Sequence, residues 1–167
     1  MNATAIDSRI FRNLFGTEEA RRIFSDKEYV SRMIDVETAL ARAQSAAQIV
    51  PAETAKIITE GCNVDKIKFV EAAYIDQWTV SLHGVCSFEK LACDTDIVGY
   101  PVLPLVEQMT EMVPAKHAAY IHWGATTQDI QDCASMLQMK DGTALIKRQV
   151  HELIGVLERL SRDHRDT

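Results

Sequence analysis

The sequence predicts an all-α fold: a small helical first domain over residues 1–113, followed over residues 114–167 by the first long helix of a central helical bundle. Three observations predict it. Apolar residues recur at three- and four-residue spacing along most of the chain, and prolines and glycines fall where helices would start and stop. One apolar stripe toward the carboxyl end also runs too far for a compact domain of this size.

Taking the elements in order, Ser25 or Asp26 can cap a helix that runs to about Gln48, with Val30, Met33, Ile34, Leu40 and Ala41 on its buried stripe. Glu37 falls on the same stripe, so its carboxylate must be paired or hydrogen-bonded if it is buried; a nearby arginine is the expected partner. Pro51 opens a shorter helix that stops at Gly61. Asp65 can cap a further one, covering Ile67, Val70, Ala73, Tyr74, Trp78 and Val80 before Gly84. Between Ser81 and Val98 the pattern is too poor to place an element. Pro101 starts a helical stretch through Leu105, Val106 and Met109 that Pro114 closes, and an irregular link, Ala119 to Trp123, leads to Gly124.

The longest element follows. Ile130, Ala134, Leu137, Leu145, Ile146, Val150, Leu153, Leu157 and Leu160 mark one face of a helix reaching about His164, a rod of roughly 50 Å at 1.5 Å per residue. From Ile146 onward the spacing alternates four and three, as in long bundles. The preceding residues cannot cover such a stripe to its end, so further helices, from the same chain or from other copies, are expected to pack on it.

Composition limits the functional classes. With 47% apolar and 25% charged residues, and only seven glycines and four prolines, the chain has the balance of a folded protein rather than a disordered one. The 18 basic and 24 acidic residues give a net charge of −6, and the basic ones are scattered, which argues against a nucleic-acid or anionic-membrane surface. No window approaches the roughly twenty apolar residues of a membrane span, and the first twenty residues carry Asp7, Arg9, Arg12, Glu18 and Glu19, so a cytoplasmic protein is expected. Cys62, Cys86, Cys93 and Cys133 lie far apart and are expected to be reduced, partly buried small hydrophobes. Neither a ligand cluster nor a phosphate-cradling glycine loop implies a metal or an organic cofactor.

The densest polar cluster is His122-Trp123-Gly124-Ala125-Thr126-Thr127-Gln128-Asp129, immediately before the long helix. Thr126 and Asp129 have the spacing of a capping box, with aspartate where glutamate or glutamine is usual. First-turn amides, two hydroxyls and the positive end of the helix dipole can together receive a carboxylate or phosphate, although a plain helix cap explains the same residues. Gly124 permits a close backbone approach, Gln128 adds a donor amide, and His122 can donate to an anion or carry a proton near neutral pH. His83, His117, His151 and His164 have no comparable setting and are read as surface or structural residues.

The stretch from His122 to Asp132 resembles the first signature region of the fumarase/aspartase superfamily, in which histidine and glycine precede Thr-Ser/Thr-Gln-Asp and a second aspartate follows. Ser8 to Ala43 is similar to the opening of its cycloisomerase branch, through Arg9-Ile10-Phe11, Gly16-Thr17, Ile23-Phe24-Ser25-Asp26 and Glu37-Thr38-Ala39-Leu40-Ala41, and Gly99 to Val106 supplies a third match. The resemblance implies three helical domains forming a homotetramer around a long bundle, with each active site drawn from three subunits. It also implies that Thr126 and Thr127 hold a carboxylate of a small polycarboxylate substrate, that Gln128 and Asp129 shape the pocket, and that His122 lines it as a possible catalytic group. The family's main base, a serine on a mobile loop, and its usual acid, a histidine of the second signature, have no counterpart in these residues, so the 167-residue chain alone is expected to be inactive. Arg9 followed by Ile10, and Tyr100 where a histidine is usual, weigh against the adenylosuccinate lyase branch, while the Thr-Gln-Asp form and the Ser8 to Ala43 opening resemble the 3-carboxy-cis,cis-muconate cycloisomerase branch or a relative with another succinate-like substrate. The competing class is a non-catalytic helical module that serves only assembly.

Overall fold

The computed structural model describes residues 8, 10–68 and 86–166. These residues form the helices α1 (Glu18–Ile23), α2 (Asp26–Ala46), α3 (Ala52–Gly61), α4 (Phe88–Val98), α5 (Val102–Glu111), α6 (Ala115–Ala118) and α7 (Thr127–Asp163). Among the described residues there is no strand, only an isolated parallel bridge between Lys68 and Ser87, and the fold is all-α as its spacing predicts. No described helix is long and apolar enough to cross a membrane. The chain divides into two compact units, residues 29–135 and residues 1–28 with 136–167.

In the unit of residues 29–135, α2 turns Val30, Met33, Ile34 and Ala41 into a core completed by Ile58 of α3, Leu91 of α4, Val102, Leu105 and Met109 of α5, and Ile130 and Ala134 of α7. Met33, Leu105, Met109 and Ala134 are fully buried. This is the stripe that the helical period draws on the sequence. Gln108, buried at the centre of α5, donates through Nε2 to the Ser87 carbonyl at 3.1 Å, which ties the start of α4 to α5, while its Oε1 is buried without a partner.

Several boundaries differ from the sequence reading. Asp65 does not cap a helix through Ile67. Instead Asn63 Oδ1 accepts the Asp65 amide at 2.9 Å, closes a short 3-10 turn over Val64–Lys66, and leaves Ile67 extended and buried. Val70, Ala73, Tyr74, Trp78, Val80 and His83, like Arg9, lie outside the described residues. Helix α4 fills part of the stretch left blank; Ser87 caps it by accepting the Lys90 amide, and Gly99 ends it in the left-handed region at φ 90°. Pro114 does not close α5, which ends at Glu111, but opens the short α6.

All four cysteines are free thiols. Cys62 is buried and Cys86 half-buried, but Cys93 and Cys133 are exposed, contrary to expectation. Cys93 stands two residues past buried Leu91, about 200° around the helix from it, and Cys133 stands one step off the Ile130–Ala134 stripe.

In the unit of residues 1–28 with 136–167, Thr17 caps α1 by accepting the Ala20 amide, and Ser25 accepts the Glu28 amide at the start of α2. Three contacts set α1 and its following turn on α7: Gln138 Nε2 donates to the Ile23 carbonyl at 2.8 Å, Arg148 pairs with Glu19 at 2.5 Å, and the Phe24 ring lies over Gly142. A Cβ on Gly142 would come within 2.7 Å of that ring, so a side chain there would push the ring aside. Farther along α7, Ile146, Val150, Leu153, Ile154, Leu157 and Leu160 are 45–61% exposed. The apolar stripe deduced from the spacing is thus present on a helix of 37 residues and uncovered within this unit.

Candidate active site

The residues singled out in the sequence gather in the unit of residues 29–135, where a tight link joins α6 to α7. Tyr120 and Ile121 turn back on α6 through amides donated to the His117 and Ala118 carbonyls. His122 then adopts φ 60° and Gly124 φ 71°, two left-handed residues flanking Trp123. Glycine takes such a conformation without strain, whereas histidine does so only where its surroundings hold it.

Helix α2 supplies the hold. Glu37, 2% exposed, places Oε1 2.6 Å from His122 Nδ1. Seven residues on, and hence on the same helix face, Gln44 Nε2 donates to the Trp123 carbonyl at 2.5 Å. The partner of Glu37 is therefore a histidine and not the expected arginine. Arg32 pairs instead with Asp35 and Arg42 reaches Thr59, so the arginines on either side of Glu37 in α2 are directed elsewhere. Burial pushes the Glu37 carboxyl up, and the adjacent His122 pulls it part of the way back.

Thr126 is the N-cap of α7 and Asp129 its third residue, and the box between them is complete. The Thr126 amide and hydroxyl both donate to Asp129 Oδ2 at 2.8 Å, and the Asp129 amide donates back to Thr126 Oγ1 at 3.4 Å. The Thr126 donors hold the Asp129 carboxyl below its usual range. Because that folded value lies below the unfolded one, the box stabilises the helix start at neutral pH, and its contribution is lost as the pH falls through the lowered value. Thr126→Ala is expected to cost about 1 kcal/mol through the lost cap, measurable as a lower midpoint in denaturant with an unchanged slope.

Gln128 Nε2 donates to Asp132 at 2.6 Å, one turn on. Thr127, the first residue of α7, is half-buried. At a first helical turn the amides of Thr127 and Gln128 point away from the helix with no intrahelical acceptor. The cluster thus sorts itself: Thr126 and Asp129 hold each other and Gln128 holds Asp132, which leaves Thr127 and the leading amides at the helix start outside these pairings. Sequence reasoning missed Gln44, which only the fold brings to the link, and misjudged Glu37, whose position on a buried stripe was nonetheless its signal.

Elsewhere in this unit, a surface cavity of about 330 Å³ lies between α2 and α3, lined by Arg42, Lys56, Thr59 and Glu60 among others, and contains none of these residues. His117 is buried with Nδ1 2.9 Å from Thr54 Oγ1, a structural role as expected. Among the described residues there is no group of three or more histidine, cysteine, aspartate or glutamate side chains arranged to hold a metal ion.

Fold and site together define an all-α scaffold whose longest helix opens on a capped threonine pair beside a carboxylate-braced histidine. No family model matches the chain. It is 33% identical over 150 residues to 3-carboxy-cis,cis-muconate cycloisomerase of Acinetobacter baylyi, covering 87% of this chain and 29% of that protein. It is 33% identical over 154 residues to trans-aconitate decarboxylase 1 of Mycosarcoma maydis, covering 92% and 27%, and 29% identical over 153 residues to adenylosuccinate lyase of Pyrococcus abyssi, covering 92% and 30%. Among solved structures, a fumarate lyase from Mesorhizobium sp. BNC1 superposes with a TM-score of 0.74 at 39% identity, covering 91% of this chain and 31% of that one. The cycloisomerase from Acinetobacter calcoaceticus superposes at 0.79 with 30% identity, covering 95% and 33%. The chain belongs to the fumarase/aspartase superfamily of lyases and cycloisomerases, and it spans about a third of the length of the curated relatives it matches.

Proposed function

We propose that these residues form the amino-terminal part of a lyase or cycloisomerase that acts on a succinate-like polycarboxylate, of the 3-carboxy-cis,cis-muconate cycloisomerase type. The observation that carries the reading is the start of α7, where Thr127 and the leading amides stand at the positive end of a 37-residue helix, a short link after the His122 that Glu37 holds. A carboxylate bound there would accept from the Thr127 hydroxyl and the Thr127 and Gln128 amides. Thr126 and Asp129 would fix the geometry of that turn, and Gln128 with Asp129 would shape the pocket wall. The negative charge of Asp129 opposes a second anion, and a protonated His122 offsets it. Holding the carboxylate orients the adjacent carbon for proton removal and stabilises the extra charge that gathers on an aci-carboxylate intermediate.

The rest of the machinery is to be supplied from outside these residues. Residues 114–167 open a central bundle, and the exposed stripe of α7 is covered by further helices in a cytoplasmic homotetramer. Two other readings keep specific support. Similarity to adenylosuccinate lyases extends over most of the chain, so a purine-linked succinate remains the alternative substrate, and the completed capping box at Thr126 fits a helical module that serves only assembly.

The test is turnover by the complete protein. Purified enzyme offered 3-carboxy-cis,cis-muconate, adenylosuccinate and trans-aconitate in parallel is expected to consume the first fastest. Preference for either of the others reassigns the substrate, and inertness toward all three supports the module. The 167-residue polypeptide alone is expected to show no turnover in the same assays, since it offers neither a serine-rich loop nor a second-signature histidine.

A further inference from the structure

Glu37 is an expensive residue to bury. Its side chain is 1% exposed, one oxygen meets His122 Nδ1 at 2.6 Å, and the other, Oε2, is fully enclosed without a hydrogen-bond partner. A carboxylate in that position carries a desolvation penalty that one hydrogen bond offsets only in part. Among the described residues, the other ionisable groups that act on the pair are the Cys62 thiol at the end of α3, which burial pushes up to about 11 and so keeps neutral, and the Asp129 carboxyl of α7. No described arginine or lysine shares Glu37 with His122 in a salt bridge. The imidazole it braces is itself held at φ 60°, a backbone state that persists where neighbours enforce it, and its side chain is 23% exposed.

We propose that Glu37 is a positioning residue for His122: it fixes the ring with Nδ1–H directed inward, and leaves Nε2 as the one nitrogen that exchanges a proton with, or donates to, a carboxylate bound at Thr127. With Glu37 ionised, its carboxylate can only accept, and the 2.6 Å contact then places the proton on Nδ1. The neutral ring then has its lone pair on Nε2, and the protonated ring presents Nε2–H. The other face of the histidine is thereby committed, and a single ring atom is free to serve the site. Gln44, holding the next carbonyl, keeps the link from rotating the ring away. This inference rests on the reading of the α7 start as a carboxylate site, but its test separates the two.

The test is histidine-selective 15N labelling of the complete protein, with the ring nitrogens of His122 assigned by their loss in His122→Gln and observed by solid-state NMR at a pH where the ring is neutral. The native protein is expected to show His122 protonated on Nδ1, the form that an unpartnered imidazole disfavours. In Glu37→Met, close in size and without an acceptor, the proton is expected to move to Nε2, with a rise in KM of about tenfold and an unchanged circular dichroism spectrum. Glu37→Gln keeps an acceptor and is expected to retain the Nδ1–H form and most of the affinity, which distinguishes positioning from filling of space and provides a second variant should the methionine one fold poorly. A native His122 protonated on Nε2, or a tautomer indifferent to Glu37→Met, overturns the inference. Addition of fumarate tests the reading beneath it: a shifted Nε2 signal supports the carboxylate site, and an unmoved signal overturns that reading whatever the tautomer.

Discussion

Replacing Leu153 and Leu157 together by lysine is expected to dissociate the complete protein into smaller species and to reduce its turnover to background. Both residues are more than half exposed on α7, in a stripe that also includes Ile146, Val150, Ile154 and Leu160. Covering a leucine of this kind contributes about 1.5–3 kcal/mol, and in an assembly of copies the gain would recur in each of them. A lysine at the same position must either leave the interface or be buried without a partner, at a cost of several kcal/mol. Lysine is also a good helix former and suits the carboxyl-terminal half of a helix, so α7 itself should persist. Light scattering over a range of concentrations is the measurement. A variant that keeps the native mass and rate would show that this stripe is not an assembly face.

The second large effect is expected at Thr127. Thr127→Val removes one hydroxyl while conserving shape, and the loss of a hydrogen bond to a charged group costs about 1.5–3 kcal/mol, or about 10- to 100-fold in kcat/KM. Most of that loss should appear in KM, with a smaller part in kcat if the bond strengthens as charge gathers on the carboxylate. Thr127→Ser should recover most of the activity. Thr126 should behave differently, because its hydroxyl and amide are already committed to Asp129. Its alanine variant is expected to lose helix stability first and activity only in consequence. Equal kinetic losses at the two threonines would contradict this division of labour.

Much of the fold was legible because helices with one buried face write their period into the sequence. Met33, Ile34 and Ala41 on α2, and Ile130 and Ala134 on α7, were placed by spacing alone and are buried. Helix α4 was not legible, since only Phe88 and Leu91 along its 11 residues reach the core, too few to establish a period. Its signals were local instead, in the Ser87 cap and the Gly99 stop. Asp65 misled for a related reason: two capping residues stood near each other, and Asn63, two positions earlier, made the turn.

The site was legible in part. The capping box at Thr126 and Asp129 follows from sequence spacing and is present. What spacing could not supply is the bracing of His122 and Trp123 by Glu37 and Gln44, across 85 and 79 residues of chain. A buried carboxylate predicts that some partner exists, but only the packing of α2 against the link decides that it is an imidazole. The period did show that Glu37 and Gln44, seven apart, share one helix face.

A crystal structure of the complete protein soaked with fumarate decides whether the start of α7 is a carboxylate site. A carboxylate is expected within hydrogen-bonding distance of Thr127 Oγ1 and of the Thr127 and Gln128 amides, with His122 Nε2 turned toward it. Fumarate ordered elsewhere in the protein, with only water at the start of α7, would contradict it.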